Sequence, residues 1–273
     1  ERVRGMKRER KRKRWMIPAA AGILAAWMMY LPVWWQNLQA EQEKENWNDT
    51  YLKPEDPAEP EETGLEPEAD REQKERMEPD GDPLQRQFDF EGLQRVNPDI
   101  VGWIYLPGTK IDEPVCRGTD NHYYLTHTAG KAENPLGAIF VPPETGEDLA
   151  DAHVLFYGHN MRSGQKFGEL SSYCREAFAR EYPYIYLYTP KGSRRGTVYG
   201  VYQTDRESDA YTIGYELETD AYAKWQERTA EQSMYDCGSI PDCGQQVFTL
   251  STCTGSGAAK ERLVVHFVMT AEK

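Results

Sequence analysis

Apolar residues in the second half of the chain come in short runs that are broken by Gly, Pro, Asn and Asp. Runs of this length that are rich in Val, Ile, Tyr and Phe are typical of β-strands. Such runs follow residue 88 at 100–106, 137–141, 153–158, 184–189, 196–204, 246–253 and 262–269. Their fairly regular spacing predicts a domain that is built mainly of β-strands.

Two segments have the pattern of helices instead. Residues 219–234 place Tyr222, Trp225 and Thr229 three and four positions apart, which puts them on one face of a helix. The stretch 165–181 is also predicted to be helical. A few helices among many antiparallel-type strands favour a β-barrel with added helices. From the pattern alone, a β-sandwich is the alternative.

A long apolar run precedes the β-rich part. Residues 15–35 carry no charge, and a helix over these residues would be about 31 Å long, which matches a bilayer core of about 30 Å. Residues 1–14 contain nine Lys or Arg and two acidic residues, so the positive-inside rule places them in the cytoplasm.

We therefore predict a cytoplasmic basic tail at 1–14 and a single transmembrane helix at 15–35, with the rest of the chain outside the cell. A cleaved signal peptide is the alternative interpretation, because it also has a basic region before an apolar one. The apolar run is longer than a typical signal core, and no small-residue cleavage site follows it, which favours the uncleaved anchor.

Residues 36–85 are acidic and rich in proline. They contain seventeen Asp or Glu against five Lys or Arg, together with six Pro. Self-repulsion and proline stiffness keep such a composition extended, and it offers few apolar side chains for a core. The composition predicts a disordered stalk at 36–85, followed by a folded domain at 86–273.

The distribution of charge excludes one class of function. The 273-residue chain has a formal net charge of -13, and its one basic run adjoins the apolar span. The folded part is acidic and would repel phosphate, so we expect no nucleic-acid partner.

The cysteines outside the last strands have ordinary interpretations. Cys237 and Cys243 enclose a five-residue loop that a disulfide could close in an exported domain. Two free thiols are the favoured alternative, and Cys116 and Cys174 are predicted to be structural. No further ligands stand near Cys237 and Cys243 at a recognisable spacing, so we expect no metal and no other cofactor.

The last two predicted strands carry a thiol and a guanidinium at their adjoining ends. Cys253 ends one strand and Arg262 begins the next, after the loop TGSGAAKE, so antiparallel pairing would bring them together at one rim. A thiol becomes nucleophilic when positive charge or an imidazole lies nearby. His159 follows a predicted strand directly, after Gly158, which is expected to allow a sharp exit that leaves the ring at a strand end.

Composition and spacing leave other interpretations of these residues open. A Cys after a strand is more often a packing residue than a nucleophile, and His266, inside the last strand, is predicted to pack. A papain-type protease would have its Cys before its His, the reverse of the order here. A membrane-anchored surface module that binds a partner without catalysis is a further alternative.

Several separated motifs, in the right order, resemble those of the sortases, the cysteine transpeptidases of Gram-positive cell surfaces. They are TLSTC ending at Cys253, the Arg of RLVV nine residues later, and YGHN about ninety residues upstream. The resemblance is to class B, because FEGLQRVNPDIVGWIYLPGTKIDEPVCRGTDNHYYL is similar to its amino-terminal region. Residues 219–234 match the extra helix of that class, and the resemblance covers 88–270.

The resemblance implies an eight-stranded sortase-type β-barrel in a membrane-anchored enzyme outside the cell. It implies that Cys253 attacks the carbonyl of a Thr in a five-residue sorting signal of a surface protein, which gives a thioacyl enzyme. His159 would act as acid and base, and Arg262 would donate to the peptide or to the oxyanion. An amine of a peptidoglycan precursor or of a pilin lysine would then resolve the intermediate.

Further positions match family residues that line the peptide groove. They are Asn121, Leu125, Tyr157, Tyr211 and Ser251. The chain departs from some relatives after the nucleophile, where Thr254 stands in place of an acid and the loop to Arg262 consists largely of Gly, Ser and Ala. Because of these departures, the preference for a particular sorting signal does not follow from the resemblance.

Overall fold

The computed structural model describes residues 31, 32, 34–53, 81–238, 240–253 and 261–273. The chain divides into two compact units, Glu1–Glu45 and Asn46–Lys273. All strands of the described residues belong to the second unit.

Eight strands of the second unit close into a barrel, which confirms the predicted β-barrel and excludes the β-sandwich. A separate two-stranded sheet is formed by β1 (Leu52–Lys53) and β2 (Gln87–Phe88). The barrel strands are β3 (Ile100–Tyr105), β4 (Asp112–Arg117), β5 (Ile139–Val141), β6 (His153–Tyr157), β7 (Tyr184–Thr189), β8 (Gly192–Asp205), β9 (Val247–Cys253) and β10 (Glu261–Glu272). Their order around the barrel is β10-β8-β7-β3-β4-β5-β6-β9.

All seven strands that the apolar runs predict are present, and the eighth, β4, is the one that they do not predict. Its sequence, DEPVCR, contains three charged residues and a proline, so it gives no apolar run. Glu113 on this strand is nevertheless buried, because Lys166 pairs with it at 2.7 Å. Partners that are distant in sequence thus allow a polar segment to complete the barrel.

Three phenylalanines lie inside the barrel on β6, β9 and β10. Phe156 on β6, Phe248 on β9 and Phe267 on β10 are fully buried in one cluster, and the ring of Phe248 lies 5.9 Å from that of Phe156 and 5.3 Å from that of Phe267. Side chains alternate between the two faces of a strand. The alternate positions, which include Tyr157 and Ser251, therefore face outward.

Of the four helices among the described residues, three lie entirely within the second unit. The helices are α1 (residues 34–51), α2 (Phe90–Val96), α3 (Glu176–Glu181) and α4 (Asp220–Glu231). The prediction of α4 is confirmed: Tyr222, Trp225 and Thr229 are among its four buried residues, and Gln226 is the fourth. Within 165–181, only α3 is α-helical, and Leu170–Cys174 form a 3-10 turn. Lys166 has φ 54, which a right-handed helix does not allow.

The acidic segment before the barrel differs from the predicted stalk. Residues 34–51 are helical, and β1 pairs with β2. Trp47 and Tyr51 pack against the cluster that contains Phe88 and Trp103. Because the described part of this segment is helical or paired in a sheet, the expectation of a disordered stalk is corrected for residues 36–53. Residues 54–80 lie outside the described residues.

The predicted tail at 1–14 and most of the predicted anchor at 15–35 also lie outside the described residues. In the part of the chain that the structure describes, no helix is long and apolar enough to cross a bilayer.

The cysteines at 116, 174, 237 and 243 carry free thiols. For Cys237 and Cys243 this agrees with the favoured of the two alternatives. Burial raises the pKa of the Cys116 thiol to about 12, so this thiol stays protonated at neutral pH. That agrees with the structural role that we expect for Cys116.

The buried pair of Glu113 and Lys166 gives a test of the fold. The side chains are 2% and 8% exposed, and the Glu113 carboxylate also accepts from the Lys166 backbone N–H at 3.4 Å. Glu113→Leu should lower the free energy of unfolding by about 3 to 5 kcal/mol, because it leaves a buried ammonium without a partner. Urea unfolding followed by tryptophan fluorescence measures the change.

The double variant Glu113→Leu/Lys166→Met is the matched control. It removes both charges and fills the site with apolar side chains, so it should recover most of the lost stability. If the double variant is as unstable as Glu113→Leu alone, the cost is a packing defect and not an unpaired charge.

Candidate active site

Three neighbouring strands meet at one edge of the barrel. β6 and β9 run parallel with Tyr157 opposite Ser251, and Gly158 N–H extends this ladder to Ser251 O at 3.3 Å. β9 and β10 run antiparallel with Cys253 opposite Arg262. This register agrees with the pairing of Cys253 and Arg262 that the sequence predicts. His159 and Cys253 each lie two residues beyond the last parallel pair, so the two positions share the edge with Arg262.

The His159 ring is half-buried and held by a backbone carbonyl. Its Nε2 lies 2.8 Å from the carbonyl oxygen of Leu125. A carbonyl can only accept, so Nε2 must donate. In the neutral ring the bare nitrogen is then Nδ1, which is the atom that can take up a proton.

The loop after β6 also holds the backbone of His159. The His159 carbonyl accepts from the backbone N–H of Met161 at 3.1 Å and of Phe167 at 3.0 Å. A Cβ at position 158 would lie 2.7 Å from Phe167 Cδ2. The close approach of Phe167 therefore requires Gly158.

Cys253 and Arg262 end and begin consecutive strands. Arg262 is half-buried, and its Nη1 donates to Glu261 O at 3.2 Å. Residues 254–260 and the side chain of Cys253 lie outside the described part of the chain. The backbone register thus places Cys253 opposite a guanidinium whose positive charge would favour a thiolate.

Two tyrosines and a serine form a wall beside this edge. Tyr211 and Ser251 are joined by a 2.8 Å hydrogen bond between their hydroxyl oxygens. The rings of Tyr157 and Tyr211 are stacked, with centroids 6.3 Å apart and planes 10° from parallel. The structure therefore brings together three of the predicted groove residues.

The Tyr157 phenol is kept neutral by its surroundings. Burial is the largest effect and raises the pKa of Tyr157 to about 12. Tyr211 and Glu144 act in the same direction, whereas the charge of Arg262 opposes the rise in this pKa. At neutral pH, Tyr157 can therefore donate a hydrogen bond to a ligand in the groove.

The other two predicted groove residues lie on one segment between β4 and β5. Leu125 is half-buried at the end of the 3-10 turn Tyr123–Leu125, and its carbonyl contacts His159. Asn121 is exposed, four residues earlier. Asp120 accepts from the backbone N–H groups of His122 and Tyr123 and so shapes this turn.

The sequence reasoning missed a buried polar group behind the Tyr211 wall. His266 is fully buried, which confirms its predicted packing role, but it also joins Thr249 and Tyr202 in hydrogen bonds. His153 continues the chain of contacts to Thr212, next to Tyr211. The sequence does carry a signal for this buried group: polar residues stand at alternate positions of otherwise apolar strands.

The three positions at the edge offer the chemical groups of covalent acyl transfer. They are a thiol as nucleophile, an imidazole as acid and base, and a guanidinium as donor to a developing oxyanion. Among the described residues, no group of three or more His, Cys, Asp or Glu could hold a metal ion.

Comparisons with known proteins identify relatives of this chain. No family model matches the chain. Sortase B of Listeria monocytogenes is 30% identical over 179 residues, which are 65% of this chain and 72% of that protein. Sortase B of Staphylococcus aureus is 26% identical over 176 residues, or 64% and 72% of the two chains.

Solved structures of sortases have the same fold. Clostridium perfringens sortase B matches with a TM-score of 0.62 at 29% identity, over 67% of this chain and 100% of that chain. A Staphylococcus aureus sortase B–substrate complex matches with a TM-score of 0.62 at 26% identity, over 66% and 86% of the two chains. The eight-stranded barrel and the similarity to curated relatives lead to one conclusion: the chain belongs to the sortase B family of cysteine transpeptidases.

Proposed function

We propose that this enzyme cleaves a sorting signal after a Thr and transfers the surface protein to an amine of a peptidoglycan precursor or of a pilin lysine. The observation that supports the proposal is the shared barrel edge of His159, Cys253 and Arg262. An anchored binding module would give no reason for this set of groups at one edge.

In the first step, the Cys253 thiolate attacks the carbonyl carbon of the Thr. A C–S bond forms, the peptide C–N bond breaks, and the leaving amine takes a proton from the His159 imidazolium. The products are a thioacyl enzyme and the released downstream peptide. Because Nε2–H is directed to the Leu125 carbonyl, Nδ1 is the nitrogen that gives up the proton.

In the second step, the acceptor amine attacks the thioester carbon. Its nitrogen loses a proton to His159 Nδ1, an amide C–N bond forms, and Cys253 leaves as a thiolate. The imidazolium and the thiolate are thereby restored for the next cycle, and no cofactor is consumed.

The proposed role of Arg262 is to stabilise the charge that develops on the carbonyl oxygen. Its guanidinium offers five N–H donors in a planar fork, and the hydrogen bond to Glu261 O orients that fork. An oxyanion donor contributes only if it points to the position where negative charge forms. The strand pair that carries Cys253 and Arg262 provides such a constraint.

The peptide is expected to lie along the wall formed by Tyr157, Tyr211 and Ser251, and Asn121 and Leu125 are the other residues proposed to contact it. The neutral phenol of Tyr157 can donate to a peptide carbonyl. The relative from Staphylococcus aureus with the same fold forms a substrate complex, which supports a substrate site on this barrel.

The enzyme's proposed place is the outer face of the cell membrane, with its amino terminus in the cytoplasm. The charge pattern of the first 85 residues supports this location. A basic run, an uncharged span and a Glu- and Pro-rich segment follow one another before the barrel.

Cys253→Ala tests the proposed nucleophile. Peptide cleavage should be abolished with the fold retained, because the change removes one sulfur atom. A library of quenched pentapeptides that each contain one Thr measures cleavage, and mass spectrometry in amine-free buffer detects the thioacyl adduct. Cys243→Ala, which removes another free thiol, is the matched control and should cleave at the wild-type rate. Substantial cleavage by Cys253→Ala would refute the assignment.

Arg262→Lys separates a donor role from a field effect. If the planar fork holds the oxyanion, lysine should not replace it, and kcat/KM should fall by an amount that corresponds to about 2 to 4 kcal/mol. If Arg262 only supplies positive potential, lysine should preserve both turnover and the pH dependence of Cys253 alkylation. Near-wild-type turnover of Arg262→Lys would therefore exclude the donor role.

Protease treatment of intact cells that carry the full chain tests the location. The barrel domain should be released while residues 1–14 stay protected, because residues 54–80 have the composition of an exposed linker. Antibodies against epitopes at each end follow the fragments. Protection of the barrel with loss of residues 1–14 would reverse the proposed orientation.

A further inference from the structure

The loop that carries Tyr211 is attached to the barrel wall at several points. Its 3-10 turn, Asp209–Tyr211, lies between β8 and α4. Ala210 is fully buried in a cluster with Tyr202 and Val264. The carbonyl of Asp209 accepts from Trp225 Nε1 on α4 at 2.9 Å. A further attachment is the hydrogen bond between Thr212 O and His153.

A chain of hydrogen bonds runs through the outer face of the barrel to this loop. His153 Nδ1 lies 2.7 Å from Thr212 O, and His153 Nε2 lies 2.7 Å from Thr249 Oγ1. Thr249 Oγ1 lies 2.7 Å from His266 Nδ1, and His266 Nε2 lies 3.0 Å from the Tyr202 hydroxyl. Four side chains from β6, β8, β9 and β10 are thus linked to one loop carbonyl.

The loop carbonyl determines the direction of every bond in the chain. Thr212 O can only accept, so His153 Nδ1 carries the proton and the neutral ring accepts at Nε2. Thr249 must then donate to His153, and its oxygen accepts from His266 Nδ1–H. His266 Nε2 accepts from the hydroxyl of Tyr202. Both rings therefore have the same tautomer, with the proton on Nδ1.

Burial keeps both imidazoles neutral. It lowers the pKa of His153 to about 4, although the hydrogen bond to Thr212 acts in the opposite direction. Burial also lowers the pKa of His266 well below its usual value, and His153 adds to this effect. The Trp225 ring covers His153 at a centroid distance of 4.3 Å. At neutral pH the chain therefore keeps a single pattern of donors and acceptors.

The hydrogen-bond chain ends beside Tyr211, a residue of the proposed peptide groove. Tyr211 lies between the Asp209 and Thr212 carbonyls and bonds to Ser251, which is two residues before Cys253 on β9. Thr249 is two residues before Ser251 on the same outward face. The strand that carries Cys253 thus bonds to Tyr211 directly through Ser251 and to the loop carbonyl of Thr212 indirectly, through Thr249 and His153.

We propose that His153 is a positioning residue for peptide binding, which holds the Tyr211 side of the groove through its Nδ1–H bond to Thr212. The inference rests on the proposed function, since it assigns Tyr211 to the substrate groove. His153 itself touches neither the peptide nor the reacting atoms. Substitution of His153 should therefore change KM for the peptide and leave kcat nearly unchanged.

Two amide variants test the two hydrogen bonds of His153 separately. In His153→Asn, the amide nitrogen stands near the place of Nδ1 and can still donate to Thr212. In His153→Gln, the amide reaches the place of Nε2 and can contact Thr249 but not Thr212. Each variant keeps one bond and loses one, so a merely structural role would make them similar.

The expected results differ between the variants. With the pentapeptide that the wild-type enzyme cleaves best, His153→Gln should raise KM by about tenfold with kcat nearly unchanged, whereas His153→Asn should keep KM within about threefold. The rate of Cys253 alkylation by iodoacetamide should be the same in both, because this small reagent does not need the groove. Equal KM values in the two variants would overturn the proposal.

Two measurements on the full chain do not depend on activity. Hydrogen exchange at residues 208–213 should increase in His153→Gln and not in His153→Asn, because only the former removes the bond to Thr212. Nitrogen NMR of the wild type should find the proton of both rings on Nδ1. If the wild type cleaves no pentapeptide, the proposed function fails, and these measurements still decide the positioning role. Equal exchange in the two variants, or a proton on Nε2 of His153, would refute it.

Discussion

The alignment of β6, β9 and β10 is the constraint on which the site depends. A slip of one residue in either ladder would turn position 253 to the other face of the barrel and away from positions 159 and 262. The interior aromatic residues oppose such a slip, because Phe156, Phe248 and Phe267 must all face inward. Apolar packing on one side of the wall thereby determines which reactive groups meet at its edge.

The outer face of the same three strands carries polar side chains that are buried. It is covered by α4 and the Tyr211 loop, so its polar side chains lose contact with water. Such burial is unfavourable unless each polar group has a partner. The chain from Thr212 to Tyr202 satisfies this requirement and makes the cover specific, since apolar packing alone would allow the loop to shift. The active site thus depends on both faces of three strands.

The sequence predicts most of the barrel because seven strands have clear apolar runs, and the ends of β9 and β10 predict the pairing of Cys253 with Arg262. The catalytic roles came from the family resemblance. β4 was missed because Glu113 is polar, and its partner Lys166 is far away in sequence. The packing of Trp47 and Tyr51 does not follow from the sequence either, because these side chains are local exceptions in an acidic segment. Average composition and local pattern carry no information about contacts of this range.

The hydrogen bond from His159 to the Leu125 carbonyl has a consequence for how the enzyme can evolve. A backbone oxygen is present whatever side chain occupies the position, so substitutions at residue 125 can reshape the groove while the imidazole keeps its orientation. Recognition of the peptide and alignment of the acid–base group are thereby assigned to different atoms of one residue. Lineages can change the first without losing the second, provided that the turn Tyr123–Leu125 keeps its backbone path.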